Sequence, residues 1–275
     1  IGTAVFTTFE SFKKFMPEEH WWPRNEMWNK HYFGPLAANA APDRYVEAIN
    51  KNYGEATDIE DFCRKAQLVN IEVNKAMYEG WQHHMWDNAT GIMTWMSQSA
   101  YPSFVWQTYD YYFEPTAAYF ACRKACEPIH IQWHPLTNEV EVVSWFTSEE
   151  EDLTATAEVI DSQGNIAWTG SCPTTIGADQ TVRCFPIEYP SGLSEVYFIR
   201  LRLTDTGGNI ISENFYWQGL EKGNLKALHD VPEASVDTKI DKSSTDTEEF
   251  ITVTLTNIGN SLAMMLRLKV KDSAT

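Results

Sequence analysis

A chain of 275 residues, of which 43% are hydrophobic and 21% are charged, can bury at least two cores and does not have the composition of a disordered protein. Its formal net charge of −17 argues against a nucleic-acid partner, because binding to a phosphate backbone requires a basic face. No apolar run reaches the roughly 20 residues of a membrane-spanning helix, so the sequence predicts no membrane partner.

The first 130 residues predict a mostly helical segment. Helices are expected over residues 8–16, 43–52, 58–83 and 115–126. Pro17 ends the first of them, Gly54 closes the second, and Thr57-Asp-Ile-Glu60 is a capping box that begins the third. The apolar face of the third helix should contain Ile59, Phe62, Ala66, Val69, Val73, Ala76 and Met77. Residues 91–96 predict a short strand that leads into a polar, aromatic-rich loop.

From residue 129 onward the hydrophobic period changes from that of a helix to that of a strand. Alternating segments occupy residues 140–142, 153–159, 182–187, 196–203 and 210–217, with hairpin-type turns at 161–164 and 205–208. About seven short strands over this length are typical of an immunoglobulin-like sandwich. After a linker, strands are predicted at 234–241, 248–257 and 262–271. Three strands cannot close a second sandwich.

The sequence offers no convincing pair of catalytic carboxylates. Glu18 and Glu19 lie in a predicted loop, and residues 149–152 lie in a predicted turn, where such side chains are usually only solvated. Asp110 and Glu114 follow the predicted strand, and there bracing of the loop is favoured over contact with a substrate. We therefore expect no catalytic residue within this chain.

The histidines and cysteines predict no metal site. His83 and His84 would point about 100° apart on a helix and could not both bind one ion without distortion. The five cysteines contain no CxxC spacing, so neither a zinc nor a redox motif is indicated, and we expect no cofactor. Cys172 and Cys184 could be cross-strand neighbours in the sandwich, where a disulfide and two free thiols are both open alternatives.

Residues 81–128 resemble the last barrel unit of glycoside hydrolase family 2, especially its β-mannosidase, endo-β-mannosidase and exo-β-glucosaminidase branches. Residues 61–70, 91–95 and 118–132 resemble the endo-β-mannosidase type most closely. The resemblance implies a multidomain chain, α/β followed by all-β. Residues 1–130 would form the C-terminal portion of a (β/α)8 TIM barrel, 131–219 an immunoglobulin-like β-sandwich, and 220–275 a linker with the start of an incomplete second β-sandwich. In this family the nucleophilic glutamate would directly precede Ile1, so both catalytic glutamates would lie upstream and this chain alone would be inactive.

What the resemblance leaves to this chain is part of a sugar-binding wall. Trp95, at the end of the predicted strand, should stack on a sugar ring, and the alternative is an ordinary core tryptophan. Ser97 and Gln98 follow it as candidate contacts to sugar hydroxyls, and Tyr101 stands where the family more often has tryptophan. Trp21 and Trp22 could cover the cleft or could equally pack the loop on the barrel.

The resemblance therefore implies the C-terminal fragment or subunit of a retaining β-glycosidase that hydrolyses β-mannosidic or β-glucosaminidic linkages. Its partners would be a β-linked oligosaccharide or glycoside and the upstream remainder of the same enzyme. The alternative is a non-catalytic carbohydrate-binding or interaction module in which the sandwich is the working part. The compartment stays open, with an extracytoplasmic one (periplasmic, secreted or vacuolar) favoured.

Overall fold

The computed structural model describes residues 2–35, 37, 41–145, 150–245 and 247–270. The helices are α1 (Phe9–Phe12), α2 (Glu26–Lys30), α3 (Pro42–Tyr53), α4 (Ile59–Gln82) and α5 (Ala117–Ala125), with short 3-10 helices at Glu18–His20 and Lys226–Asp230. The strands are β1 (Ile129–Trp133), β2 (Glu139–Ser144), β3 (Glu150–Ile160), β4 (Ile166–Ile176), β5 (Gln180–Pro186), β6 (Val196–Thr204), β7 (Ile210–Gly219), β8 (Val236–Ser244) and β9 (Glu249–Asn257). None of the helices in this part of the chain is both long and apolar enough to cross a lipid bilayer.

The long helix α4 begins one residue later than the predicted capping box requires. The Asp58 carboxylate, not the Thr57 hydroxyl, accepts a hydrogen bond from the Asp61 backbone N–H at 2.9 Å. Asp61 completes the motif, because its own carboxylate accepts from the Thr57 backbone N–H at 3.1 Å. Aspartate is at least as strong an N-cap as threonine, so Asp58 and not Thr57 is the N-cap residue of α4.

The buried face of α4 also differs from the predicted one in its second half. Ile59, Phe62, Ala66 and Val69 are buried as predicted, whereas Val73 is 40% exposed. The buried side chains from the middle of the helix onward are polar, namely Asn70, Asn74, Lys75, Glu79 and Gln82. This half of the helix contacts α5 and the sandwich through hydrogen bonds, so an apolar period does not mark it.

Two further helices are shorter than predicted. α1 ends at Phe12, and the chain continues to Met16 through turns whose N–H groups bond three residues back, as in the Lys14 to Ser11 bond of 3.1 Å. α5 begins at Ala117 and not at residue 115, because Pro115 is held in a bridge to Tyr109.

The predicted strand at residues 91–96 is absent as a paired strand. The Met96 N–H donates to the Trp106 carbonyl at 2.5 Å, and the described residues around this segment form isolated bridges, among them Gln98 with Tyr109 and Ala4 with Val105. A strand of a parallel barrel takes its hydrogen bonds from neighbours on both sides, and the described part of the chain places no complete strand beside this segment. The TIM barrel implied by the resemblance is therefore not seen in the described residues.

The sandwich is made of two antiparallel sheets, one with strand order β1-β2-β5 and the other with order β4-β3-β6-β7. Its core lies between the sheets and includes Ile131, Val142, Val159 and Leu201, all with no exposed area. This architecture confirms the predicted immunoglobulin-like β-sandwich. Among these strands, β1 was not predicted from the sequence, and neither was β4. It contains Gly170 and Pro173, and proline is tolerated because β4 is an edge strand.

The last part of the chain forms a hairpin and not three strands. β8 and β9 pair antiparallel, but residues 262–270 are not paired as a strand, so that prediction is wrong for its described part, and residue 271 lies outside the described residues. The segment instead turns back to the helical part. Lys269 donates to the Glu114 carboxylate at 2.6 Å, and Arg267 binds the same carboxylate.

A buried polar network joins α4 to the sandwich. The Glu79 carboxylate oxygen Oε1 lies within hydrogen-bond distance of three side chains, those of His130 (3.1 Å), Asn214 (2.8 Å) and Tyr216 (3.0 Å). One helical turn earlier, Lys75 donates to Asn214 Oδ1 at 3.0 Å. These bonds connect the helical part directly to β1 and β7.

This network should make stability depend on pH. His130 is fully buried, and burial alone would lower its pKa, but hydrogen bonds to Glu127 and Glu79 outweigh burial and raise the pKa. The other charged or titratable groups nearby are Lys75, Lys124 and Tyr216. A raised folded-state pKa contributes stability that is complete below the unfolded value of about 6.5 and is lost as pH rises through the folded value.

We therefore expect the melting temperature to fall as pH rises above the His130 pKa, and we expect His130→Gln to flatten that dependence. The measurement is a series of thermal melts by circular dichroism from about pH 5 to about pH 9. His84→Gln is the control, because His84 lies near the end of α4 but is exposed. An unchanged slope in His130→Gln would show that another group is responsible.

Candidate functional site

The first residues of the chain lie directly beside Trp95. A Cβ atom added at Gly2 would come within 2.1 Å of the Trp95 carbonyl oxygen, so only glycine allows the two backbones to approach this closely. Further along, the Thr7 hydroxyl donates to Asp110 Oδ2 at 2.9 Å. Residues 2–7 therefore run alongside the segment that contains Trp95.

Trp95 itself is presented to solvent. Its exposed fraction is 65%, so it is not a core tryptophan within this chain, and its stacking on a sugar stays a prediction. Its neighbour Ser97 is also exposed, and the Ser97 carbonyl accepts hydrogen bonds from the backbone N–H groups of Thr108 (3.1 Å) and Tyr109 (2.8 Å). Gln98 is half-buried and bridges to Tyr109. The backbone after Trp95 is thus fixed while the indole stays open.

Two aromatic residues that the sequence did not single out as binding candidates stand beside this segment. The Trp106 ring lies 3.7 Å from the position that a Cβ atom on Gly2 would occupy. The centroid of the Tyr32 ring lies 5.6 Å from that of the Trp106 ring. Tyr101 is 45% exposed, and its pKa is raised by partial burial and by the nearby Tyr32. We define Trp95, Ser97, Gln98, Tyr101, Tyr32 and Trp106 as the aromatic wall.

Trp21 and Trp22 are held by the aromatic core of the helical part. The Trp21 indole N–H donates to the Met16 carbonyl at 2.8 Å, and its ring packs edge-on against Phe9 at 5.4 Å. The Trp22 ring lies 5.7 Å from that of Phe62. These contacts favour the alternative in which both indoles pack the loop, and a role in binding sugar stays a prediction.

The carboxylates near the aromatic wall have structural partners. Asp110 is buried, and its Oδ1 accepts from the backbone N–H groups of Tyr112 (2.9 Å) and Glu114 (3.1 Å), as expected for a side chain that braces the loop. Burial would raise the pKa of Glu114, but Lys269 and Arg267 lower it. Both carboxylates are therefore committed to holding segments together.

The structure also shows what His83 does. Its Nδ1 atom lies 2.8 Å from the Glu141 carboxylate, and its ring stacks on that of His134 at 3.8 Å. Within the described residues, no group of three or more histidine, cysteine, aspartate or glutamate side chains could hold a metal ion.

Comparisons with known proteins match the two β-rich segments to known domain families. Residues 139–219 match the family described as Mannosidase Ig/CBM-like domain, and residues 214–275 match the family described as Exo-beta-D-glucosaminidase Ig-fold domain. The mannosylglycoprotein endo-β-mannosidase of Lilium longiflorum is 33% identical over 210 residues, which are 74% of this chain and 21% of that protein. The chain belongs to glycoside hydrolase family 2. An exo-β-D-glucosaminidase of Amycolatopsis orientalis is 32% identical over 188 residues, which are 66% of this chain and 18% of that enzyme.

Solved structures of this family share the fold. A complex of the Amycolatopsis orientalis exo-chitosanase with PNP-β-D-glucosamine matches with a TM-score of 0.82 and 24% identity, over 94% of this chain and 33% of that one. The β-D-mannosidase of Dictyoglomus thermophilum matches with a TM-score of 0.79 and 17% identity, over 99% and 32%. This chain thus spans between about a fifth and a third of the length of these relatives.

Proposed function

We propose that this chain is the carboxyl-terminal part of a retaining β-glycosidase that acts on β-glucosaminidic or β-mannosidic linkages, and that the aromatic wall binds the sugar. The observation that carries the proposal is the exposed Trp95 indole, fixed on a bonded backbone next to Gly2. An indole that is 65% exposed has a free face, and the apolar C–H side of a pyranose ring can stack on such a face.

The polar members of the aromatic wall complete this argument. The hydroxyl of Ser97 and the amide of Gln98 follow Trp95 in the chain, and we assign them to the hydroxyl groups of a sugar stacked on that indole. Sugar sites combine an aromatic surface with a few such polar groups that fix orientation. The family profiles and the names of the relatives support a glycoside as the partner.

Catalysis requires two further carboxylates. A retaining glycosidase uses a nucleophile and an acid/base about 5–5.5 Å apart. Two carboxylates lie near the aromatic wall, and both already have partners. Backbone N–H groups bind that of Asp110, and Lys269 and Arg267 bind that of Glu114. We therefore assign the catalytic pair to residues outside this 275-residue sequence, in the remainder of the same enzyme.

We expect Trp95→Ala to weaken binding of chitosan or β-mannan oligosaccharides by at least about tenfold, which corresponds to roughly 1.4 kcal/mol. Saturation-transfer NMR of the ligand measures this loss. The matched control is Trp81→Ala, because Trp81 is an exposed tryptophan (41%) in α4. We also expect no hydrolysis of p-nitrophenyl β-glucosaminide or β-mannoside by this chain.

Two results would contradict these assignments separately. Turnover of either chromogenic substrate by the purified 275-residue chain would show that it contains a catalytic pair. Unchanged sugar binding in Trp95→Ala, with circular dichroism showing a folded protein, would remove the aromatic wall from the binding site. That second result would favour the sandwich as a carbohydrate-binding module.

A further inference from the structure

We propose that Cys172 and Cys184 form a disulfide bond that links the two sheets of the sandwich at one edge. Cys172 lies on β4, in the four-stranded sheet, and Cys184 lies on β5, in the three-stranded sheet. All five cysteines are free thiols in this structure, so the proposal concerns a modification of the state described here. It does not depend on the proposed glycosidase function.

The course of the chain brings the two cysteines opposite each other. β4 ends at Ile176 and β5 begins at Gln180, with a short turn between them. Cys172 lies four residues before the end of β4, and Cys184 lies four residues after the beginning of β5. The turn carries the chain from one sheet to the other at this edge, and the Cys172 thiol is near enough to that of Cys184 to contribute to the raised pKa of Cys184.

Both thiols point into the space between the sheets. The half-buried positions of β4 alternate with exposed ones and are Trp168, Gly170, Cys172 and Thr174. Cys184 packs against the core of the sandwich from the other sheet. The Cys184 thiol donates a weak hydrogen bond to Thr174 Oγ1 at 3.8 Å, and Thr174 is the next residue on the same face as Cys172.

The burial of Cys184 indicates which of the two thiols reacts first. Burial raises the pKa of Cys184 to about 12; the Thr174 hydroxyl opposes the rise and the neighbouring Cys172 thiol adds to it. Because the thiolate is the nucleophile, Cys184 is a poor first attacker. We assign the first step to Cys172, which loses its proton, attacks a low-molecular-weight disulfide such as oxidised glutathione, and releases one thiolate. Cys184 then loses its proton and displaces the second thiolate, so two thiols are oxidised as one disulfide is reduced to two thiols.

The other cysteines do not meet these conditions. Cys122 and Cys126 are four residues apart, with Cys126 directly after the end of α5, and side chains at that spacing on a helix have Cβ atoms about 5–6 Å apart. A disulfide requires about 3.5–4.5 Å. Cys63 is buried in the aromatic core of the helical part.

Peptide mapping of the full chain tests the proposal. The folded protein is incubated with oxidised glutathione, the remaining thiols are alkylated with iodoacetamide, and the protein is digested with trypsin and with a glutamate-specific protease, which cuts between Cys126 and Cys172. Cleavage after Arg183 separates Cys172 from Cys184, so their two peptides stay joined only through a disulfide. We expect the joined peptide to form and to disappear on reduction. Cleavage after Arg123 also separates Cys122 from Cys126, which makes that pair an internal control that should not join.

The oxidised protein should also melt several degrees higher than the reduced protein, because the bond restricts the unfolded chain. Cys184→Ala should lose this response and keep glutathione on Cys172. The proposal is overturned if the folded wild-type protein carries alkyl groups or glutathione on both Cys172 and Cys184 with no joined peptide. It is equally overturned if the Cys122 and Cys126 peptides join to the same extent, because oxidation would then be unselective.

Discussion

Replacement of Glu79 by alanine is expected to lower the free energy of unfolding by about 3–5 kcal/mol, the cost of removing one partner from a buried charged network. The Glu79 side chain is 7% exposed. Burial alone would raise its pKa, but the hydrogen bond from His130 and the charge of Lys75 lower it, so the carboxylate is ionised at neutral pH. Without it, the Lys75 ammonium group and the His130 imidazole are left buried beside an empty space. Urea denaturation at neutral pH, followed by circular dichroism, measures the loss.

A matched control lies on the same helix. Glu60 is exposed in the first turn of α4, where the helix dipole favours its carboxylate, and Glu60→Ala should cost less than about 1 kcal/mol. A cost for Glu79→Ala as small as that of Glu60→Ala would mean that the network contributes little. Combining Glu79→Ala with Lys75→Met should cost less than the sum of the single changes, because the second change removes a charge that the first leaves unpaired.

The elements that could be predicted from the sequence are those determined by local patterns. α3 and most of α4 follow a helical period and have their own caps, and β6 and β7 alternate with a period of two. Each of these signals lies within a stretch of neighbouring residues. Such elements were placed to within a few residues.

Elements that depend on distant partners were not predictable in the same way. β4 carries Gly170 and Pro173, which are disfavoured in strands, and it forms because β3 pairs along its length. The segment 91–96 has the composition of a strand, yet strand pairing requires neighbours that the described residues do not supply. Sequence patterns missed β1 and β4, and the strands that they predicted at 91–96 and 262–271 are not formed as paired strands by the described residues of those segments.

The same distinction applies to the candidate site. Trp95, Ser97, Gln98 and Tyr101 are close in sequence, so one pattern indicated them together. Tyr32 and Trp106 contact this segment with backbones at positive φ, 64° and 59°. Positive φ is uncommon for residues other than glycine, so the sequence does not predict it at these two positions. Glu79 and Lys75 were missed for a related reason, because charged residues on a helix are normally expected on the surface.

Replacement of Phe6 by alanine is expected to cost about 3–5 kcal/mol, the range for a fully buried phenylalanine. Phe6 has no exposed area. Its ring centroid lies within 6.0 Å of those of Phe12, Trp28, Phe33, Phe62 and Phe104. A cavity at this position removes the ring contacts that Phe6 makes with all five neighbours. The closest of these rings is that of Phe104, which is stacked on Phe6 with a centroid distance of 4.5 Å. Thermal and urea unfolding measure the cost, and Phe113→Ala, at a 73% exposed phenylalanine, should change stability by less than about 0.5 kcal/mol.

The position of Phe6 also predicts where the damage should appear. Phe6 anchors residues 2–7 to the core, and the same segment contacts Trp95 through Gly2 and Val105 through Ala4. Loosening that anchor should therefore speed amide hydrogen exchange in residues 4–7 and 104–105 and leave β1, β2, β4 and β5, whose core residues belong to a second cluster, unchanged. Equal acceleration in both parts would show that the chain unfolds as one unit and that the aromatic wall has no independent support.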